Sequence, residues 1–232
     1  MTIGRVTLII FFAGIGTGSL VLAKESDIAS SYEMTGAMDL ASNIVEKGLT
    51  QTHMDPGLVA RFGLNLGPQV EFGLLGTNRK YENSEANFLL QPQLGIGLDF
   101  SARAKGALSA HQNFYFSPDG RDGTDVKLLL EILSYRIFLE SIGNWEGTGT
   151  PATYLAFGKT FELAQDLVSI NRVGYVSLTS EDFSSYFEAS SEARYSFTDR
   201  FYSALELTGT SAPAQFGGAG EFFISLRLGT SF

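Results

Sequence analysis

The C-terminal stretch, residues 220–232, alternates apolar with polar or small side chains. Phe222, Ile224, Leu226, Leu228, Thr230 and Phe232 share one parity, and Glu221, Phe223, Ser225, Arg227, Gly229 and Ser231 share the other. A period of two puts successive side chains on opposite faces of a strand, so one face meets an apolar medium and the other a polar one. The pattern recurs upstream. Tyr32, Met34, Met38 and Leu40 oppose Glu33, Thr35, Asp39 and Asn43, and Leu58, Ala60, Phe62, Leu64 and Leu66 oppose Arg61 and Asn65. Phe88, Leu90, Leu94, Ile96, Leu98 and Phe100 oppose Gln91, Gln93 and Asp99. Phe187, Ala189, Ala193, Tyr195 and Phe197 oppose Glu188, Ser190, Glu192 and Arg194. The chain holds about twelve such segments, each near the length of a tilted membrane strand. Alternation is weakest between residues 137 and 176, where boundaries are legible and register is not. There Leu155, Phe157 and Phe161 share a parity with Lys159, which predicts a bulge or a partly apolar interior.

The connections sort by length. Short turns are expected near residues 68, 99–101, 134–136, 165 and 198–200. Long ones are expected at 44–56, 77–87, 117–124, 143–152, 177–185 and 208–219. Strict alternation of short and long is the mark of a transmembrane barrel with short periplasmic turns and longer extracellular loops, and an even strand number returns both termini to the periplasm. The expected fold class is therefore all-β, a closed antiparallel transmembrane β-barrel of about twelve strands.

Composition fits this class. The 26 Gly, 19 Phe and 9 Tyr of the 232 residues favour strands and turns. No apolar run beyond residue 23 is long enough for a spanning helix, and only helices and closed barrels satisfy every backbone group in lipid. Absence of Cys excludes disulfides and a lipid-anchor thiol, and a net charge of −9 argues against nucleic acid as a partner. At the N-terminus, Arg5, an apolar stretch over residues 6–22 and a small-residue exit at Val21-Leu22-Ala23 have the layout of a signal peptide, 1–23, ahead of a single barrel domain, 24–232. Aromatics near strand ends, Phe114, Tyr115, Phe116, Trp145, Tyr154 and Tyr186 by the loops and Tyr135, Phe197, Phe201 and Phe232 by the turns, are candidate interfacial girdles.

Two resemblances add to this. The terminal Phe232 resembles the C-terminal signature of bacterial outer-membrane barrels, which implies an assembly signal read by the barrel-assembly machinery through the last strand. The run Thr35-Gly36-Ala37-Met38-Asp39-Leu40-Ala41-Ser42-Asn43, then Lys47-Gly48-Leu49-Thr50-Gln51-Thr52, then Asp55-Pro56-Gly57-Leu58, resembles the opening of the TorF family of porins. In that family such a strand leads into an Arg-Gly-Ile-Ser-Gln-like motif and an Asp-Pro-Ala-like step. Residues 73–78 stand where the family has a Trp-Ala-Ser-Asn-like segment; Lys47 replaces the usual Arg, and Ile44 stands where an aromatic is common. The similarity covers about the first fifty residues after the signal peptide, and beyond them only the pattern. It implies an outer-membrane barrel that conducts small solutes, with outer-membrane lipid and lipopolysaccharide around it. Lys47 has two readings: a contact with lipopolysaccharide phosphates at the outer surface, or a pore-lining group.

Candidate chemistry is sparse. Of the two histidines, His111 shares parity with Arg103, Lys105 and Ser109 and points inward, whereas a membrane phospholipase needs its Ser-His pair on the lipid face. His53 lies two residues from Asp55 in the first long connection, as an acid and base of a surface hydrolase could. Asp119, Asp122 and Asp125 offer oxygen ligands for Ca²⁺, but at every third residue and not at the alternate spacing of a calcium loop. No enzyme, metal or cofactor is expected. Inward charge is the stronger signal. Arg103, Lys105, Lys127 and Lys159, with Arg172 in less certain register, mark the middle strands, while Glu188, Glu192, Glu206 and Glu221 with Glu33 and Asp39 mark the late and first strands. Arg61, Glu71, Arg194 and Arg227 complete the expected lining, and Glu131 and Glu140 sit among the basic strands. A basic wall facing an acidic one predicts a channel for passive diffusion of small polar solutes. The alternatives are a structural or surface-interaction barrel closed by cross-strand ion pairs and, further off, a barrel hydrolase.

Overall fold

The computed structural model describes residues 9–10, 21–22, 32–67, 69–80, 87–116, 122–180, 182–212 and 222–232. Twelve strands form one closed sheet: β1 (Tyr32–Ala41), β2 (Gly57–Leu66), β3 (Val70–Asn78), β4 (Phe88–Ser101), β5 (Ala104–Phe116), β6 (Gly123–Ile132), β7 (Tyr135–Ile142), β8 (Ala152–Ala164), β9 (Leu167–Leu178), β10 (Tyr186–Ser196), β11 (Phe201–Thr210) and β12 (Phe222–Ser231). Each pairs antiparallel with its neighbour in the chain, and β12 returns to β1. Closure satisfies the ladder groups that an open sheet would leave bare at its two edges. At the seam Arg227 faces Ala41 and Ser231 faces Ala37, and the peptide groups of Gly36 and Phe232 exchange hydrogen bonds of 2.8 and 2.9 Å. The Phe232 ring lies over Gly36, a position with no room for a Cβ.

The distribution of side chains is inside-out. Leu226, Phe222 and Ile224 are about 60% exposed on the outer face of β12, while Arg227 and Ser225 are buried within. Around the barrel Met34, Phe62, Phe72, Leu94, Leu108, Leu155, Val173 and Leu205 stand outside, and Asp39, Arg61, Gln91, His111, Glu140, Glu188 and Glu206 are buried inside. Apolar periodicity therefore marks the wall and not a core.

Links between Leu66 and Val70, Ser101 and Ala104, Ile132 and Tyr135, Ala164 and Leu167, and Ser196 and Phe201 are short and share one end of the barrel. The longer loops share the other. Leu133 at φ 59° and Gly67 at φ 66° make two of the tight reversals. Between residues 137 and 176 the ladder is regular from Ala152 to Glu162, and its only shift falls between Glu162 and Ala164. No bulge rescues Lys159. It keeps the outward parity of Leu155, Phe157 and Phe161, correcting its expected place in the lumen. The expected signal peptide falls largely outside the described residues, and the pairing of Ile9–Ile10 with Val21–Leu22 is no part of the barrel sheet.

Candidate functional site

The lumen is entered by the first loop. Val45–Glu46 pairs with Leu49–Thr50, and Lys47 (φ 47°) and Gly48 (φ 79°) form the tip. Two successive positive φ values are the signature of a type I′ turn, which matches the strand twist of a tight hairpin. Its root is stitched by Ile44 N donating to Thr52 Oγ1 (3.1 Å), Thr50 and Thr52 hydroxyls donating to Asn43 Oδ1 (2.7 and 3.1 Å), and Ser225 Oγ donating to the Asn43 carbonyl (2.6 Å). Ile44, Val45 and Leu49 are buried, so the hairpin folds into the barrel, above a small cavity bordered by Asp39, Ile44, Val59, Arg61 and Arg227.

The tip crosses to the far wall. Lys47 Nζ is 3.2 Å from Glu140 of β7, and Tyr186 OH of β10 donates to the Lys47 carbonyl at 3.0 Å. The ammonium lies 5.9 and 5.8 Å from the ring centres of Trp145 and Tyr154. Glu46 pairs with Arg79 at 2.5 Å, and Gln51 Nε2 donates to Glu146 Oε1 at 3.2 Å. Gly48 packs against Thr210 and Glu188 so closely that a Cβ would overlap both, a second reason for glycine besides its φ. Burial opposes the Lys47 charge, yet the carboxylates of Glu140, Glu46 and Asp125 prevail and push its pKa above the usual ammonium value. Lys47 is therefore a largely shielded lumenal cation and is not at the outer surface among lipopolysaccharide phosphates.

Below the hairpin, buried charges pair across strands. Arg61 meets Asp39 at 2.5 Å, and Asp39 also accepts from Tyr202 OH. Glu192 and Glu206 stand directly opposite one another on β10 and β11. Arg227 reconciles them, reaching Glu192 at 3.3 Å and also pairing with Glu206, while Arg194 takes Glu192 at 2.7 Å and lies 4.6 Å from the Tyr202 ring centre. Higher up, Arg172 Nε is 2.9 Å from Glu188, which accepts from Tyr154 OH at 2.5 Å, and Lys127 shares Glu140 with Lys47 at 3.4 Å. Pairing of this kind makes burial of so many charges tolerable, since each lone buried carboxylate would cost several kcal/mol.

Most expected lining residues thus face inward: Arg61, Glu188, Glu192, Arg194, Glu206 and Arg227 buried, and Glu71, Lys105, Lys127 and Arg172 half-buried. Arg103 does not; it sits exposed in the turn between β4 and β5, where its N–H donates to Ser101 Oγ. Lys159 faces outward, and Glu221 lies outside the described residues. The charges are not sorted into opposed walls, because neighbours of opposite sign neutralise each other locally. What is asymmetric is packing. Most inward residues of β1, β2 and β10 to β12 are buried, with Glu33, Ser190 and Ser231 among the exceptions, whereas on β3 to β9 buried Gln91, His111 and Glu140 are interspersed with Glu71, Gln93, Lys105, Lys127, Glu131, Thr160 and Arg172, which are only partly covered. Trp145, Tyr154 and Tyr186 are buried against the hairpin and form no girdle, unlike exposed Tyr135, Phe197, Phe201 and Phe232. The hairpin was the feature missed by sequence. Its signal was present in Val45-Glu46-Lys47-Gly48-Leu49-Thr50, alternation on both sides of a residue-Gly pair.

His111 faces the lumen and not the lipid side of the wall. His111 is buried with Nε2 2.7 Å from Ser109 Oγ and Nδ1 3.2 Å from Gln91 Oε1, within a lumenal chain that continues through Asn113 to Asp125. Asp55 pairs with Lys80 on the surface and not with His53, and that contact holds its carboxyl below the usual range. Asp122 accepts from the Tyr115 N–H and Asp125 from the Gly143 N–H, while Asp119 lies outside the described residues.

No protein-family model and no curated protein matches the sequence. Solved structures do match. The NanC porin superposes with a TM-score of 0.56 at 11% identity over 86% of this chain and 99% of that one. The KdgM porin gives 0.54 at 7% over 87% and 98%, and an outer-membrane channel from Pseudomonas putida F1 gives 0.50 at 10% over 90% and 100%. At such identities the likeness is one of fold. The chain has the closed antiparallel barrel fold of outer-membrane porins and channels.

Proposed function

We propose that this barrel spans a bacterial outer membrane and lets small polar solutes diffuse passively through an eccentric passage beside the inserted hairpin. The observation that carries this is the pairing of an apolar exterior with an interior where polar groups on β3 to β9 stay partly uncovered. The porin fold and the resemblance of the chain's opening to the TorF family support it. The passage is bordered by Lys105, Lys127 and Arg172 as cations and by Glu71 and Glu131 as anions. Solutes there meet charges of both signs at close range, which favours polar over apolar cargo with weak ion selectivity. The short turns lie on the periplasmic side with both termini, Phe232 serves the assembly machinery, and the long loops meet lipopolysaccharide.

A closed structural barrel stands second, favoured by the burial and ion pairing of Glu188, Glu192 and Glu206. Planar-bilayer recording separates the two. Expected are small unitary conductance from the intact chain and a clear increase when residues 45–50 are replaced by a short Gly-Ser link. Silence from both proteins, once each is shown to be folded by heat-dependent gel mobility, overturns the channel and leaves the closed barrel.

A further inference from the structure

The outer wall is apolar nearly all round, but at β7 to β10 it carries a row of hydrogen-bonding groups. Tyr135, Lys159, Asn171 and Ser191 stand directly opposite one another on four successive strands, each with outward parity. Ser169 lies one layer nearer the turns, between Phe161 and Ala193. The groups are connected. Ser191 Oγ donates to Asn171 Oδ1 at 2.8 Å, and Asn171 Nδ2 donates to Ser169 Oγ at 2.9 Å. Lys159 Nζ donates to Tyr135 OH at 2.7 Å and lies 4.3 and 4.9 Å from the ring centres of Tyr135 and Phe161.

Donors and acceptors in this row do not balance. The chain from Ser191 through Asn171 runs one way and ends on the Ser169 hydroxyl, whose proton has no acceptor among the described residues. Tyr135 accepts from Lys159, so its own O–H is free to donate, and Lys159 has two N–H bonds left over. No carboxylate lies within ion-pair distance of Lys159 among the described residues. The wall thus offers one net positive charge with hydroxyl and ammonium donors, a few residues above the turn linking Ala164 to Leu167. At that height the long Lys stem can follow the apolar wall while its head reaches the headgroup layer.

We propose that this patch is a binding site for the phosphate of an anionic glycerophospholipid in the leaflet on the turn side. The proposal rests on the membrane-spanning reading above. A phosphodiester supplies what the patch lacks, a negative charge and several acceptor oxygens, and its acyl chains would run away from the turns along Phe157, Leu155 and Val173, which are exposed on the same wall. A second copy of the chain fits less well, because two such faces would bring together two positively charged patches.

The test uses the full-length barrel reconstituted in nanodiscs of equimolar phosphatidylglycerol and phosphatidylcholine, followed by native mass spectrometry of the lipids it retains. The intact protein should hold one phosphatidylglycerol about fivefold in preference to phosphatidylcholine, the factor one cation near an anionic headgroup supplies. Lys159→Gln should abolish the preference, and Asn171→Leu, which cuts the hydroxyl chain while leaving the charge, should weaken it. Equal retention of both lipids by the intact protein overturns the site, as does an undiminished preference in Lys159→Gln. A dimer in place of bound lipid would reassign the face to self-association and overturn it too. Failure to enter nanodiscs at all would overturn the membrane reading, and the site with it.

Discussion

Replacing Lys47 by Met and Glu140 by Gln, singly and together, probes the contact that holds the hairpin tip. At 3.2 Å the gross attraction between these charges is about 5 kcal/mol for an effective dielectric of 20, and desolvation offsets much of it because both side chains are largely shielded from solvent. The two single variants should differ. Lys47→Met leaves Glu140 with Lys127 at 3.4 Å, so its cost should stay at about 1–2 kcal/mol. Glu140→Gln leaves two lumenal ammonium groups facing a neutral amide and should cost about 3–5 kcal/mol, the range for breaking a buried pair from one side. The double variant should show a coupling of about 2 kcal/mol, near the low end for close charge pairs. Urea titration of the barrel folded into lipid vesicles measures all three. A Glu140→Gln cost no greater than that of Lys47→Met, or single costs that add to the double within about 0.5 kcal/mol, would refute the lock.

Alkaline pH bears on the same group. Its folded pKa lies above the unfolded one, so its contribution is complete below the ordinary lysine value and fades only as pH rises past it. A stability-pH profile should therefore hold level for this contribution until strongly alkaline pH, and Lys47→Met should remove the late decline. Leu226→Arg, outward at the centre of β12, should cost about 2–4 kcal/mol in lipid, whereas Gln93→Arg, inward beside Glu71, should cost far less; equal costs would reject the facing of these strands. Gly48→Ala meets Thr210 and Glu188 at a left-handed backbone position and should destabilise by about 1–3 kcal/mol, read in the same urea titration. Removing Phe232 deletes two seam hydrogen bonds and uncovers Gly36, so the heat-modifiable folded fraction should fall while export continues; an unchanged fraction would detach the terminal aromatic from closure.

Much of this architecture is local and therefore legible in one dimension. Alternation of Leu226 with Arg227, or of Phe187 with Glu188, fixes which side chains share a face, because a strand reverses direction at every residue. Turn and loop lengths sort the two ends of the barrel for the same reason. Arg61, Glu192, Glu206 and Arg227 could be placed inside on parity alone. Their partners could not. Lys47 and Glu140 are 93 residues apart, and Ser225 reaches Asn43 across 182, so these contacts exist only once β12 closes on β1. Lys159 shows the opposite failure. Its charge argues for the interior, but its ladder with Tyr135 and Asn171 admits no bulge, and the wall accommodates it with aromatic rings and a hydroxyl. The inward fold of residues 45–50 was likewise decided in three dimensions. Its turn chemistry is local, but only a closed lumen of limited width, with Trp145, Tyr154 and Tyr186 on the far side, gives the apolar residues of that hairpin somewhere to be buried.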